Sequence, residues 1–343
     1  MIKVLGKRPA GEQLINITQS PNYKSGKFLN VEITSMNPNN VSILKILKDF
    51  YGRPSSVKPA KLVPNIKTDL FNLNSDRPSI VWFGHSSYLI KYRGLNILID
   101  PVFSANASPV KFFGKAFDGT NNYETEDIPS IDLLILTHDH FDHLDYKTIL
   151  KLHKKVKHIV TPLGVGAHLE FWGIERKKIT ELDWWSGYHS DSGIEITATP
   201  ARHFSGRGVK RDTSLWASFV LRIDEYKIFI GGDSGYDEQF KIIGNKFNGF
   251  DLAFLECGQY GDDWPLIHMT PEQTVKAAKD LKSDVLFPVH WAKFVLSMHA
   301  WNEPIKRLTK ESAKENQKVA SPQIGEPYLL GSDHSQSNWW DFE

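Results

Sequence analysis

Leu133-Leu134-Ile135-Leu136-Thr137-His138-Asp139-His140-Phe141-Asp142-His143-Leu144-Asp145 is an apolar run that ends in three histidines and three aspartates. This is the pattern of a buried strand that delivers its end to a loop. The loop is made of side chains that bind metals. An imidazole nitrogen binds a borderline divalent ion at about 2.0 to 2.1 Å, and a carboxylate oxygen does so at a similar distance, so ligands must converge on one small volume. His138 and His140, two apart in an extended segment, point to one side. Asp142 and His143 follow a turn and face a second ion. The run begins two sites and completes neither, so later strand ends must supply the rest.

Three later segments do so. Ile194-Glu195-Ile196-Thr197-Ala198-Thr199 alternates apolar and polar residues and leads to His203. Tyr226 to Ile230 leads to Gly231-Gly232-Asp233-Ser234-Gly235, where the glycines let backbone come close to a bridging carboxylate. Val285 to Val289 leads to His290. The candidates divide between two ions: His138, His140 and His203 on the first, Asp142, His143 and His290 on the second, with Asp233 between them. Each ion keeps an open position for a shared water. Zinc suits this donor set, and manganese or iron suits the same mixture.

Other residues gather near these ends. Asp100 closes the strand Asn96 to Asp100; it is either a partner that orients a ligand histidine through its free N–H or a turn former before Pro101. Gly84-His85 lies within a strand read from Ser79 to Lys91, an unusual place because glycine weakens a strand unless backbone or ligand approaches closely. His85 joins Asp100 as a candidate support behind the ligands. The loop Ser205 to Asp212 places Arg207, Lys210 and Arg211 near Arg202. That is either a cradle for phosphate or a solvated loop. His268 precedes a helix marked by Thr270 as N-cap, Pro271 and Gln273.

The chain has 343 residues, with 41 basic against 40 acidic side chains. This balance lacks the basic excess of a nucleic-acid protein. Cys257 is the single cysteine, which excludes an intrachain disulfide. No apolar window is long enough for a membrane span, and the first twenty residues lack the apolar segment of a secretory signal. We expect a cytoplasmic protein, with peripheral membrane contact open to a chain that is 12% aromatic. Residues 1–75 read as an arm rich in Asn, Pro, Lys and Ser. It carries one short amphipathic helix over Val41 to Tyr51, with Ile43, Leu44, Leu47, Phe50 and Tyr51 at helical spacing. The expectation is that this arm docks on a main domain of residues 76–343, with a homodimer contact or a membrane contact as alternatives.

The order of ligand motifs resembles the metallo-β-lactamase superfamily, which implies an αββα sandwich: two mixed β-sheets flanked by helices. The likeness covers roughly Ser79 to Leu308. An aspartate at position 233, where true β-lactamases usually carry cysteine, resembles the phosphodiesterase, nuclease and lactonase branches. Val81-Trp82-Phe83-Gly84-His85-Ser86-Ser87, Gly94 to Ser104, Leu182-Asp183-Trp184-Trp185 and Val289-His290-Trp291-Ala292-Lys293-Phe294 are similar to the N-acylphosphatidylethanolamine-hydrolysing phospholipase D family. That resemblance implies a zinc-dependent phospholipase D that releases an N-acylethanolamine and phosphatidic acid. It also implies that His268 is a non-ligand active-site histidine. With Asp142 and Arg207, His268 makes up the candidate catalytic set, Arg207 being expected to neutralise phosphoryl oxygens. The alternatives are a hydrolase of a small soluble ester or lactone, and an interaction protein that keeps the fold without turnover.

Overall fold

In a computed structural model, the described residues are 3–36, 38–39, 41–110, 113–332 and 337–342. The arm holds α1 (Glu12–Thr18), a hairpin of β1 (Tyr23–Lys24) and β2 (Lys27–Phe28), and α2 (Ile43–Tyr51). Among the described residues it therefore carries two α-helices where the sequence pattern suggested one. Ser42 caps α2 by accepting from Lys45 N at 3.2 Å. The side chains of Ile43, Leu47 and Phe50, part of its expected apolar face, lie outside the described residues, while Leu44 and Tyr51 are exposed.

One sheet contains β3 (Ser79–Trp82), β4 (Tyr88–Tyr92), β5 (Leu95–Ile99), β6 (Ile131–Ile135), β7 (Val156–Pro162) and β8 (Ile179–Leu182), with α3 (Tyr146–Leu152) and α4 (Gly166–Phe171) in the connections. The other contains β9 (Gly187–His189), β10 (Ile194–Thr199), β11 (Ser218–Ile223), β12 (Tyr226–Ile230), β13 (Phe250–Glu256), β14 (Ser283–Val289) and β15 (Lys318–Val319). Its connections carry α5 (Gln239–Phe247), α6 (Pro271–Asp280) and α7 (Glu303–Lys314). The final strand, β16 (Pro327–Leu329), returns to pair with β3 at the edge of the first sheet.

Both sheets are mixed. β3, β4 and β5 pair antiparallel, and β5 to β8 run parallel. In the second sheet β9 to β12 are antiparallel, and β12 to β15 are parallel. Period-two alternation explains the layers. Ile97, Ile99, Leu133 and Ile135 cluster with Phe219, Leu221 and Phe254 of the facing sheet, whereas Leu98 and Leu134 cluster with Ile149 and Leu152 of α3. The result is a two-sheet sandwich covered by helices on both outer faces.

The expected long strand from Ser79 to Lys91 is in fact two strands. Gly84 and His85 adopt left-handed φ values of 82° and 54°, so the chain reverses and Trp82 pairs with Tyr88. Lys293 secures this turn: its buried ammonium donates to Phe83 O at 3.0 Å and Val102 O at 2.9 Å.

Burial pushes the Lys293 pKa down to about 7. An unfolded lysine stays protonated to about pH 10.4. Between those values the unfolded chain binds the extra proton, so this group makes stability rise with pH. Lys293→Met removes the effect. The denaturant midpoint of the wild type should therefore gain on that of the variant from pH 7 to 10.

Candidate metal centre

The carboxyl ends of parallel strands from both sheets open on one region, the place where α/β sheets commonly bind ligands. Asp100 follows β5, His138 to His143 follow β6, Asp233 follows β12, Glu256 ends β13 and His290 follows β14. Among the described residues the structure brings together three groups whose donor atoms all lie within 4.8 Å of one another: His138, His140, His203 and Asp233; His85, Asp142, His143 and His290; and Asp233, Glu256, His268 and His290. Asp233 also adjoins the second group, with Oδ1 3.2 Å from His143 Nε2 and 3.0 Å from His290 Nδ1. Its Oδ2 lies 3.7 Å from both His138 Nε2 and His203 Nε2.

Hydrogen bonds behind the candidate ligands determine which nitrogen faces inward. Thr137 Oγ1 donates to Asp100 Oδ2 at 2.6 Å and so accepts from His138 Nδ1 at 3.0 Å. His143 Nδ1 donates to the same Asp100 oxygen at 2.8 Å. Thr137 N holds the other Asp100 oxygen at 2.8 Å. One buried carboxylate therefore turns His138 Nε2 and His143 Nε2 inward. His203 Nδ1 donates to Ile267 O at 2.9 Å, with the same outcome. His85 Nε2 donates to Asp142 Oδ2 at 2.9 Å. Three of these residues, His85, Asp100 and His290, have φ values of 54°, 38° and 67°. Non-glycine residues in that region are strained and gather at functional sites.

The donor set fits divalent ions. His140 Nδ1 lies 3.0 Å from His138 Nε2 and 3.2 Å from His203 Nε2. A single proton on His140 can satisfy only one of those contacts, and the other sets lone pair against lone pair unless a cation lies between. His143 Nε2 and Asp233 Oδ1 are buried and have no hydrogen-bond partner among the described residues. Burial holds the His138, His203 and His290 pKa values well below the usual imidazole range, so the rings are neutral donors. The Asp142 and Asp233 carboxylates are pulled down by neighbouring histidines against the cost of burial.

Arg207 requires a correction. It does not face the ligands as a free cation. Its guanidinium donates to Asp139 O and Leu144 O, both at 2.7 Å, and to Val4 O at 2.8 Å, and it stacks 4.1 Å from the Phe141 ring centroid. These carbonyls consume the donors that a phosphate would need, so the residue braces the loop from behind.

His268 is at the site, its ring 5.1 Å from that of His203 and 5.2 Å from that of His290. Sequence reasoning missed its partner, Glu256. This fully buried carboxylate accepts from His268 Nδ1 at 2.6 Å and from Ser234 N at 2.9 Å. Burial raises the Glu256 pKa, and the carboxylate raises that of His268 against its own burial. The signal was an acid at the end of the otherwise apolar Leu252-Ala253-Phe254-Leu255-Glu256.

Fold and site together define a metal-dependent hydrolase of the metallo-β-lactamase fold. A sequence model described as the beta-lactamase superfamily domain matches residues 95–291, and the chain belongs to that superfamily. It is 36% identical over 327 residues to an uncharacterized protein of Mycobacterium tuberculosis, covering 94% of this chain and 88% of that one. It is 30% identical over 274 residues to N-acyl-phosphatidylethanolamine-hydrolyzing phospholipase D 1 of Caenorhabditis elegans, covering 76% of each. Among solved structures it resembles the metallo hydrolase Igni18 of Ignicoccus hospitalis, with a TM-score of 0.56 and 21% identity, over 75% of this chain and 99% of that one.

Two substitutions separate orientation from support. Asp100→Ala frees both His138 and His143, and metal affinity should fall by about 10- to 100-fold, as measured by competition with a chromophoric chelator. Arg207→Ala leaves buried carbonyls unpaired and should cost about 2 to 4 kcal/mol of stability by denaturant unfolding. A change confined to KM would restore the phosphate-cradle role.

Proposed function

We propose that this chain is a zinc-dependent phosphodiesterase of the phospholipase D type that cleaves an N-acylphosphatidylethanolamine to an N-acylethanolamine and phosphatidic acid. The observation that carries the reading is the pair of four-residue donor groups meeting at Asp233, with His268 and Glu256 at their edge. Divalent ions, when bound there, would supply Lewis acidity at phosphoryl oxygens and a water of lowered pKa. His138, His140 and His203 with Asp233 would hold one ion, and Asp142, His143 and His290 with Asp233 the other. His85 would orient Asp142 through their hydrogen bond. The similarity to the nematode phospholipase D supports the choice of substrate.

The chain's own groups do the remaining work. With Nδ1 fixed on Glu256, His268 presents Nε2 to substrate, where it donates a proton to the departing alkoxide oxygen. A groove of about 650 Å³ runs from His203 and Phe204 along arm residues including Phe28, Leu29, Val31 and Ile33. Val31 and Ile33 are 52% and 98% exposed, which gives an amphiphilic substrate an apolar approach and favours peripheral contact with a lipid surface. No helix among the described residues is long and apolar enough to cross a membrane.

Elemental analysis of purified protein should find about two transition ions per chain, predominantly zinc. Metal-replete protein should then be offered N-acylated phospholipids, nucleotide phosphodiesters and lactones. Turnover of the N-acylated phospholipid, lowered about 10²- to 10⁴-fold in kcat by His268→Ala, is the expected result. Activity confined to lactones would overturn the phosphodiester reading.

A further inference from the structure

The N-terminal arm touches the metal centre from behind at two independent places. The first is Asn30. Its Nδ2 donates to His203 O at 2.8 Å, and its Oδ1 accepts from His203 N at 3.0 Å, so one side-chain amide grips both main-chain polar groups of a proposed ligand. Trp216 Nε1 donates to the same Oδ1 at 3.1 Å. On either side, Phe28 N donates to Asp212 O at 2.9 Å, and Arg202 Nη2 donates to Ile33 O at 3.1 Å. This stretch of arm replaces the neighbouring strand that the segment after β10 lacks at His203.

The second place is the strap Lys3 to Lys7. Lys7 N donates to His168 Nδ1 at 3.1 Å, which leaves His168 Nε2 as the donor to Asp139 Oδ2 at 3.2 Å. Asp139 lies between the proposed ligands His138 and His140, and its carboxylate also accepts from Gly206 N at 2.7 Å and Ser214 Oγ at 2.8 Å. Val4 O receives Arg207, whose other donors hold Asp139 O and Leu144 O. Lys3 O receives Trp172 Nε1 at 2.8 Å. The fit is close: a Cβ on Gly6, at φ 71°, would fall 2.1 Å from His168 Nδ1.

We propose that the arm is a working part of the metal centre: Asn30 positions His203 and the strap Lys3 to Lys7 positions the His138 to His143 loop, so that together they set metal affinity. Asn30 is a positioning residue, since it acts through His203. Partners that orient ligands from behind typically change metal affinity by about 10- to 100-fold when removed. The strap acts on the loop at second hand, through His168, which donates to buried Asp139, and through Arg207, which donates to two loop carbonyls, so displacing it loosens the proposed ligands that the sequence packs most densely.

The inference rests on the metal-centre reading, and one experiment separates the two. Apo-protein of the wild type, Asn30→Ala and Gly6→Ala is titrated with cobalt(II), followed by visible absorption, and the unfolding midpoint of each apo-protein is recorded. A wild type that binds no cobalt sinks the metal-centre reading itself. With the wild type binding two ions, the expected result is an affinity about tenfold or more lower in each variant, with an altered ligand-field spectrum. Gly6→Ala alters only an arm segment outside both sheets, so it reads the strap even if Asn30→Ala fails to fold. Arm variants with lowered apo midpoints but cobalt titrations and spectra that overlay the wild type would make the arm mere packing and overturn the proposal.

Discussion

One buried carboxylate, Asp100, limits what the rest of the site can be. It receives Thr137 through both backbone and hydroxyl, and His143 directly, and through the Thr137 hydroxyl it fixes His138 as well. A histidine's two nitrogens are chemically distinct, and the hydrogen bond at one decides what the other can do. Asp100 therefore fixes one imidazole in each donor group at once. It can do so because β5 and β6 are parallel neighbours, so that their carboxyl ends lie side by side. Its left-handed φ is the cost of turning the chain back toward them.

The same logic of holding ligands from behind extends outward. Arg207 is a cation buried by stacking on Phe141 and Trp172, and burial lowers its pKa to about 10. A buried cation is tolerable only when its donors are used. Backbone carbonyls of the ligand loop and of the arm use them. Lys293 does similar service for the turn bearing His85, and Glu256 for His268. The site is thus a shell of imidazoles and carboxylates, enclosed by charged groups that are each spent on main chain or on one another.

Hydrolytic chemistry needs open coordination positions and a path for substrate. The groove beside His203 and Phe204 offers such a path, and its walls come in large part from the arm. Phe204 packs its ring 4.4 Å from that of His140, so the floor of the groove is continuous with one donor group. A segment that looks peripheral in sequence is therefore next to the chemistry.

The amino-acid sequence by itself determined the strands that end in candidate ligands. Apolar or alternating runs closing on His138, His203, Asp233 and His290 are local patterns, and local patterns survive without knowledge of partners. The α6 start at Thr270 was legible for the same reason, since its capping box lies within four residues. The tertiary structure alone decided whatever depends on residues distant in the chain. The reversal at Gly84 and His85 hid inside an apolar run because both halves are buried. Arg207 looked like a free cation because nothing in its own loop reveals that Val4, Asp139 and Leu144 supply its acceptors. Glu256 looked like an ordinary strand end until His268 was folded against it. Asn30 carries no motif at all: its amide matters because folding places it against the main-chain N–H and carbonyl of His203, in a segment outside the strands.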